Sequence, residues 1–533
     1  MPRSARRVVI VGGGFGGLTA ARELRRADVQ VTLVDPTSHH LFQPLLYQLA
    51  CGGLSPGECA TPIRAAVKRA SNTTVLMARA TDVDTERRQV VLDRGERLDY
   101  DSLIVACGAQ TSYFGNDRWR EVSYGLKTLT DAVALRNRIY GCFEEAERCT
   151  DPAERAQWLT FVVIGGGPTG VELAGDLAIV ARHTMRGYFK RIDPRDQVRV
   201  ILLDAGTRVT AAFSERLSAK VARYLGELGV SVREGARVTA IDERGVTVQV
   251  SGDDGAVERT TQTGTTRTDA GVRPGDATEA RATQTGGARA SSTQERIEAR
   301  TAIWAAGVQA APFAATLARA TGAQSDRAGR IQTQPDLTVP GHPEISAIGD
   351  ATALAGADGR LLPGLATVAI QQARHVAKAI RSGAPGASKP FRYFDKGALA
   401  VVGRGKAVCE IRGHELSGRP AFFTYLTVHM YYLSGGGPGH RLKVLIDWIS
   451  ARVGEPQDQV IDGELSSIEH GQIPFQAGIG GGGAGGAAAG GLGTGGGGAG
   501  GAAAGGLGTG GAAAEERPMK AGVMKTGAGG AGR

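Results

Sequence analysis

The sequence predicts an α/β protein of two doubly wound units, and three observations carry that expectation. Two glycine fingerprints, Gly12-x-Gly14-x-x-Gly17 and Gly165-x-Gly167-x-x-Gly170, each follow a run of β-branched and apolar residues. Each opens directly into a helical segment. Each is followed by a second apolar strand that closes on an aspartate, Asp35 in the first unit and Asp204 in the second. Strand, tight turn and helix start in that order bring backbone N–H groups and the positive helix end to a pyrophosphate, with glycine wherever a side chain would block the approach. Both units are therefore expected to bind dinucleotides.

In the first unit, residues 8–11 read as a buried strand, 18–27 as the helix and 29–34 as the second strand. Asp35 then stands close to the ~20-residue offset at which a carboxylate accepts from ribose hydroxyls. In the second unit, residues 161–164 give the strand, Val171-Glu172-Leu173-Ala174 opens the helix, and 198–203 lead to Asp204 across a longer polar stretch. An acid at that strand end favours NAD over NADP because it repels a 2′-phosphate, and Arg208 close by works against the preference. Two such sites in one chain bring two redox rings together, so a flavoprotein with a nicotinamide site and hydride transfer is the economical reading.

At 533 residues the chain exceeds one ordinary core. No apolar run reaches the length of a membrane span, and Arg6-Arg7 pass straight into the first strand, so a cytoplasmic location is expected. The net charge of +9 comes without a basic, aromatic-interleaved patch, which points away from nucleic acid and towards an anionic membrane surface. Six scattered cysteines lack metal-ligand spacing, so no metal site is expected; Cys51 and Cys59, near the first loop, are too far apart for the close motif of a redox dithiol.

Residues 252–294 are polar, with Val257 and Val272 the only large aliphatic side chains. Ordering costs roughly 1–2 kcal/mol per residue, and burying a valine returns only about 1.5–3 kcal/mol, so this stretch reads as a disordered insertion in a hairpin loop of the nicotinamide domain. A 15-residue Gly/Ala-rich sequence at 481–495 recurs unchanged at 496–510 and reads as part of a flexible tail over 471–533. Between them, residues 391–470 form a module with aromatic and basic character. Phe422-Phe423-Thr424-Tyr425-Leu426 leads through Val428 to Leu433 to a Gly/Pro break at 435–439, after which Leu442, Leu445, Ile446, Ile449 and Val453 recur at helical spacing. That apolar face is expected either to pack, on the chain's own core or on a homodimer partner, or to lie on a bilayer with Arg441, Lys443 and Arg452 beside it.

The loop His39-His40-Leu41-Phe42-Gln43-Pro44-Leu45-Leu46-Tyr47-Gln48-Leu49-Ala50 resembles that of the type II NADH dehydrogenases, the single-polypeptide NADH:quinone oxidoreductases. Ala60-Thr61-Pro62-Ile63-Arg64, Ile104-Val105-Ala106-Cys107-Gly108-Ala109 running to Tyr113-Phe114-Gly115, Ile303-Trp304-Ala305-Ala306-Gly307-Val308 and Ala347-Ile348-Gly349-Asp350 resemble the same family in its order. The resemblance covers 1–250 and 296–453.

It implies two interleaved Rossmann-like domains plus a C-terminal membrane-docking module. The segments are 1–124 for FAD, 125–330 for NADH, a return to the FAD domain over 331–390, and the 391–470 module. By the same resemblance Gly12, Gly14 and Gly17 hold the FAD pyrophosphate and Asp35 its ribose. Ala106 and Gly108 line the cofactor, Asp350 meets its ribityl or phosphate part, Pro44 and Leu45 border the isoalloxazine, and Val83 offers backbone to the adenine.

Gly165, Gly167, Gly170 and Asp204 then belong to NADH, and Glu172 lies beside the nicotinamide and flavin. The family's quinone motif falls at Ala366-Thr367-Val368-Ala369-Ile370-Gln371-Gln372, with Thr367 where the family has a glutamine and Gln371 offering its amide to a quinone or to the flavin. Phe422 and Tyr425 stand where bulkier tryptophans are expected in the docking region. The implied activity is NADH oxidation through FAD to a membrane quinone, without proton pumping, at the cytoplasmic side of the cell membrane as a peripheral protein. The alternatives are a soluble NAD(P)H diaphorase or reductase of a protein electron carrier and, of another class, an NADH-responsive redox-dependent binding protein.

Overall fold

A computed structural model of the chain describes residues 5–251, 292–383, 386, 389–403, 405–433 and 437–453. The tail over 471–533 and nearly all of the 252–294 stretch lie outside the described residues.

Two sheets carry the architecture, and they are built to one plan. The first has the strand order Thr338–Val339, His342–Ala347, Ser102–Val105, Arg6–Val11, Val29–Asp35, Thr73–Met77, parallel throughout except at its first pair. The second runs Tyr124–Gly125, Thr301–Trp304, Thr160–Ile164, Arg199–Leu203, Val230–Arg233, all parallel. In each, the strand before the glycine fingerprint lies centrally, and its run of apolar residues is buried on both faces, as a parallel sheet covered by helices requires. The helices that follow, Phe15–Leu24 and Pro168–Ile179, start where glycine ends the turn and present alanine, leucine and glycine to the sheet.

The repeat extends to the excursions. Ala80–Asp84, Gln89–Leu92 and Arg97–Asp99 form a three-stranded antiparallel sheet ahead of strand Ser102–Val105 of the first unit, as the next excursion stands ahead of Thr301–Trp304. Ala236–Asp242, Gly245–Ser251 and Ser292–Glu298 do the same in the second unit. The stretch read as an insertion therefore joins two paired strands, and its last residues, 292–294, belong to the second of them because they complete the ladder with 249–251.

The chain returns to the first unit earlier than residue 331. Helix Pro312–Thr321 packs through Phe313, Ala314 and Leu317 into the core that holds Val9, Val11 and Val83. Just ahead of this helix, Val308–Ala310 pairs with Ala109–Thr111 to make a two-stranded ribbon between the units. The return continues through His342–Ala347 and helix Ala366–Arg381, which lies against the opposite face with Ala373, Val376 and Ile380 in one cluster with Ile10 and Leu18.

The C-terminal module contributes a small antiparallel sheet, Ala398–Val401, Ala407–Ile411 and His414–Ser417, and two helices, Arg419–Tyr432 and Gly437–Val453. Its buried residues, from Ala400 to Val444, join the largest core cluster together with Leu45, Phe143 and Leu173.

Candidate functional site

The two glycine turns are made of the same bonds. Gly12 N donates to Val34 O and Gly165 N to Leu203 O, each at 2.8 Å. Gly13 N donates to Asp35 Oδ2 at 2.6 Å and Gly166 N to Asp204 Oδ2 at 2.5 Å. The second carboxylate oxygen is held as well, by Thr37 N and Oγ1 on Asp35 and by Gly206 N on Asp204. Each aspartate thus ties its turn to the end of the second strand while staying half-buried.

A side chain is excluded where the turn closes. A Cβ on Gly17 would sit 1.8 Å from Gly12 O, and one on Gly170 would sit 1.9 Å from Gly165 O. At Gly14 and Gly167 a Cβ would meet nothing within 4 Å, and neither helix N-terminus is capped by a side chain. Open helix ends with unpaired first-turn N–H groups suit a phosphate, so the residues present fit a dinucleotide at both loops.

Around the first loop the structure assembles Ala106, Gly108, Asp350 and a lysine that the sequence reading missed. Ala106 N donates to Val11 O, and a Cβ on Gly12 would lie 2.2 Å from Ala106 O, so the 106–108 turn borders the fingerprint directly. Asp350 sits in the one-turn helix Gly349–Ala351 after strand His342–Ala347. Lys127 Nζ bridges Gln43 Oε1 at 3.3 Å and Asp350 Oδ2 at 3.8 Å, linking the 39–50 loop to the return segment. The signal available for Lys127 was its place just ahead of the Thr128/Asp131 capping box, which fixes where that helix starts.

Three residues of the expected site have partners within the protein. Leu45 is fully covered within the largest core cluster, so its side chain packs inward, whereas Pro44 beside it is half-buried. Val83 is buried on the antiparallel excursion, and its N–H is donated to Asp82 Oδ1 at 2.9 Å. The amide of Gln371 is used at both ends by one backbone residue, Nε2 donating to Phe394 O and Oε1 accepting from Phe394 N, each at 3.0 Å. Thr367 completes this strap by sharing a 3.0 Å hydrogen bond with Tyr393. The neighbouring Gln372 is the buried one, and its Oε1 accepts from Gly349 N at 2.6 Å beside Asp350.

Glu172 lies in the first turns of helix Pro168–Ile179, buried, and its Oε1 accepts from Val401 N at 3.3 Å. Burial pushes its carboxyl well above the usual range and the nearby Asp176 adds to the shift, outweighing the opposing bond from Val401. Tyr47 and Tyr425 lie close enough to feel that acid, and both phenols are raised by burial first. Gln48 Nε2 donates to Tyr47 Oη at 2.8 Å, and Trp448 Nε1 donates to Gln48 Oε1 at 2.7 Å. His429 stacks on Tyr425 at 3.8 Å between ring centroids, and burial lowers its imidazole to about 4.

Tyr425 and Phe422 therefore belong to the core and are not available for insertion into a bilayer. Among the described residues, the exposed large apolar side chains of the module's two helices are their neighbours: Phe423 and Tyr431 on helix Arg419–Tyr432, and Leu442 and Ile446 on helix Gly437–Val453. Of the stripe read from the sequence, Leu442 and Ile446 are outward, whereas Val444 and Trp448, which were outside it, reach the core. The side chains of Ile449, Arg452 and Val453 lie outside the described residues. Among the described residues no helix is long and apolar enough to cross a membrane.

All six cysteines are free. Burial pushes Cys59 up to about 12 and Cys51 well above the ordinary thiol value, so neither supplies a thiolate near neutral pH.

Two dinucleotide-type units sharing one return segment define a two-nucleotide reductase. A profile of the pyridine nucleotide-disulphide oxidoreductase family matches residues 6–373. The chain belongs to that family, and within it to the type II NADH:quinone oxidoreductases. It is 41% identical over 454 residues to the type II NADH:quinone oxidoreductase Ndh of Mycobacterium tuberculosis, covering 84% of this chain and 88% of that protein. It is 40% identical over 463 residues to NdhA of the same organism, covering 85% and 88%. Among solved structures it is similar to NDH2 from Plasmodium falciparum in complex with NADH, with a TM-score of 0.70 and 19% identity over 86% of this chain and 100% of that one.

Proposed function

We propose that NADH enters at the second glycine loop, FAD occupies the first, and the electrons leave towards a quinone on the side of the C-terminal helices. The chain is an NADH:quinone oxidoreductase that moves two electrons without pumping protons. FAD, when bound, takes the hydride of NADH and returns the two electrons to the quinone. Gly12, Gly14 and Gly17 hold its pyrophosphate against the helix start at Phe15, Asp35 presents a carboxylate to its ribose, and Ala106, Gly108, Pro44, Asp350 and Lys127 border the rest. Gly165, Gly167, Gly170 and Asp204 hold NADH in the same manner.

The observation that carries the reading is the bond-for-bond repetition of the glycine turn, with an aspartate holding each. Hydride transfer needs no acid or base, but quinone reduction takes up two protons and the hydride brings one. Glu172 is the group able to hold the other. Its Oε1 accepts from Val401 N, which leaves Oε2 to carry a proton, and burial favours the protonated form. Gln371 acts on the quinone side by fixing the Phe394 strap over the start of helix Ala366–Arg381, rather than by touching quinone through its amide.

Docking to an anionic membrane surface on the cytoplasmic side, as a peripheral protein, is supported by the outward Phe423, Tyr431, Leu442 and Ile446 with Arg441 and Lys443 among them. Lys443 also pairs with the buried Glu58 at 3.0 Å, which holds the last helix against the body of the protein. A homodimer through the same patch is the competing use. Anaerobic addition of NADH to the FAD-loaded protein is expected to bleach the flavin, and a short-chain quinone to restore its colour. Bleaching without restoration would leave only the first half of the reading.

A further inference from the structure

Tyr113 to Asn116 form a tight turn in which the local sequence and the backbone disagree. Asn116 N donates to Tyr113 O at 3.0 Å, and both central residues have positive φ, +52° at Phe114 and +87° at Gly115. These are the marks of a type I′ turn, whose first central position favours asparagine, aspartate or glycine and suits a bulky aromatic poorly. The phenylalanine gains little burial for this cost, because the residue is 68% exposed. A residue that strains its backbone and leaves an apolar ring in water points to something the ring does when a ligand is present.

The ring has a defined seat. It lies on Gly307, where an added Cβ would come within 2.3 Å of its Cζ, and it meets Trp304 edge-on at 6.2 Å. Trp304 is itself fixed by donating Nε1 to Ser112 O at 2.9 Å. Gly307 follows strand Thr301–Trp304, and the Ala305–Ala306 peptide packs against the second fingerprint, 2.8 Å from where a Cβ on Gly165 would stand. In the sheet order, Thr301–Trp304 and Arg199–Leu203 flank the fingerprint strand on opposite sides. A dinucleotide centred on the turn with its adenosine ribose at Asp204 extends its other half towards Thr301–Trp304 and the exposed ring. The first unit has no such ring, since a Cβ at the corresponding Gly108 would meet nothing within 4 Å.

We propose that Phe114 is a wall of the NADH site, covering the nicotinamide riboside half of the nucleotide. This rests on the reading that the second glycine loop takes NADH. The test uses full-length, FAD-loaded protein and two variants. Phe114→Asn gives the turn its preferred residue and removes the ring, whereas Phe114→Tyr keeps the ring and the strain. Flavin reduction is followed anaerobically in stopped flow against NADH concentration, beside FAD content and thermal midpoint.

Phe114→Asn is expected to keep its FAD, to melt at the same temperature or about 1–2 °C higher, and to raise the apparent Kd for NADH about 3- to 10-fold. Phe114→Tyr is expected to stay within about twofold of the parent Kd. An unchanged Kd in Phe114→Asn overturns the proposal, as does a fall in melting temperature that accompanies the weaker binding, since that marks a structural role. If NADH fails to bleach the parent protein, the underlying reading falls and takes this inference with it; bleaching of the parent with an unchanged variant removes the inference alone.

Discussion

The hydroxyls of Tyr47 and Tyr425 are 2.8 Å apart in the core, joining residues 378 positions distant in the chain. Gln48 donates to the same Tyr47 oxygen and receives from Trp448, so side-chain hydrogen bonds run from the last helix to the neighbourhood of Glu172. Two phenols carry two protons and their mutual bond uses one, which leaves the other for a further acceptor.

Removing one hydroxyl strands its partners in a buried site. Tyr47→Phe is expected to cost about 1–3 kcal/mol because both Gln48 and Tyr425 lose a partner. Tyr425→Phe is expected to cost about 1 kcal/mol, since Tyr47 keeps its bond from Gln48. The double variant is expected to be less destabilised than the sum by about 0.5–1.5 kcal/mol. Urea unfolding of the four proteins reads this, and strict additivity would show that the pair is not coupled.

Glu172→Gln separates the two half-reactions. The fold raises this carboxyl, so its contribution to stability is whole below the ordinary value of 4.5 and declines as pH rises, because the unfolded chain ionises the acid at lower pH than the folded one. The amide removes that decline, and the variant is expected to gain on the parent in stability as pH rises above 4.5. Its rate of reoxidation by quinone is expected to fall about tenfold or more, while flavin reduction by NADH changes little. Equal losses in both steps would remove Glu172 from the proton route.

His40 and His429 set the acid limit. Burial lowers both imidazoles from 6.5 to about 4. Each therefore contributes stability that is whole above 6.5 and is lost as pH falls from there to about 4, by roughly 3 kcal/mol per histidine. A fall in unfolding free energy over that window, shallower in His429→Gln, is the expected outcome, and a flat profile would contradict it.

The nucleotide units were legible because they rest on short-range rules. An apolar run, a glycine turn and a helix start are adjacent in the sequence, and Asp35 and Asp204 follow at the ends of the next strands, where the structure holds them on Gly13 and Gly166. What escaped the sequence depends on partners far along the chain. Gln371 reads as an offered amide until Phe394 is seen to occupy both its ends, and Lys127 is an ordinary surface lysine until Gln43 and Asp350 come beside it. Tyr425 looked like a membrane anchor because helical period identifies an apolar face but not what covers it; here Tyr47 does.

Equivalent glycines are expected to fail differently. In Gly17→Ala the new methyl must displace Gly12 O from 1.8 Å, so the first loop opens and the protein is expected to lose FAD on purification. In Gly170→Ala the same clash falls on Gly165 O, and the protein is expected to remain yellow while bleaching by NADH needs about tenfold or more nucleotide. Absorbance at purification and an anaerobic NADH titration distinguish them; loss of FAD in both would mean that the two loops do not hold separate nucleotides.

The outward patch of the C-terminal module makes a prediction independent of the redox site. Leu442 and Ile446 are 58% and 53% exposed, one helical turn apart on Gly437–Val453, while Val444, Lys443 and Trp448 hold that helix to the body through the core, Glu58 and Gln48. Changing the outward pair should leave those attachments alone. Leu442→Ser with Ile446→Ser is expected to keep FAD, melting temperature and NADH-driven bleaching, yet to lose most of its recovery with anionic vesicles on flotation, since about 1.5–3 kcal/mol of burial per side chain is withdrawn. Turnover with a short-chain quinone should persist, and turnover with a bilayer-bound quinone should fall with the flotation. If flotation is unchanged but the parent sediments as a dimer and the variant as a monomer, the patch joins two copies of the chain and the bilayer contact lies elsewhere.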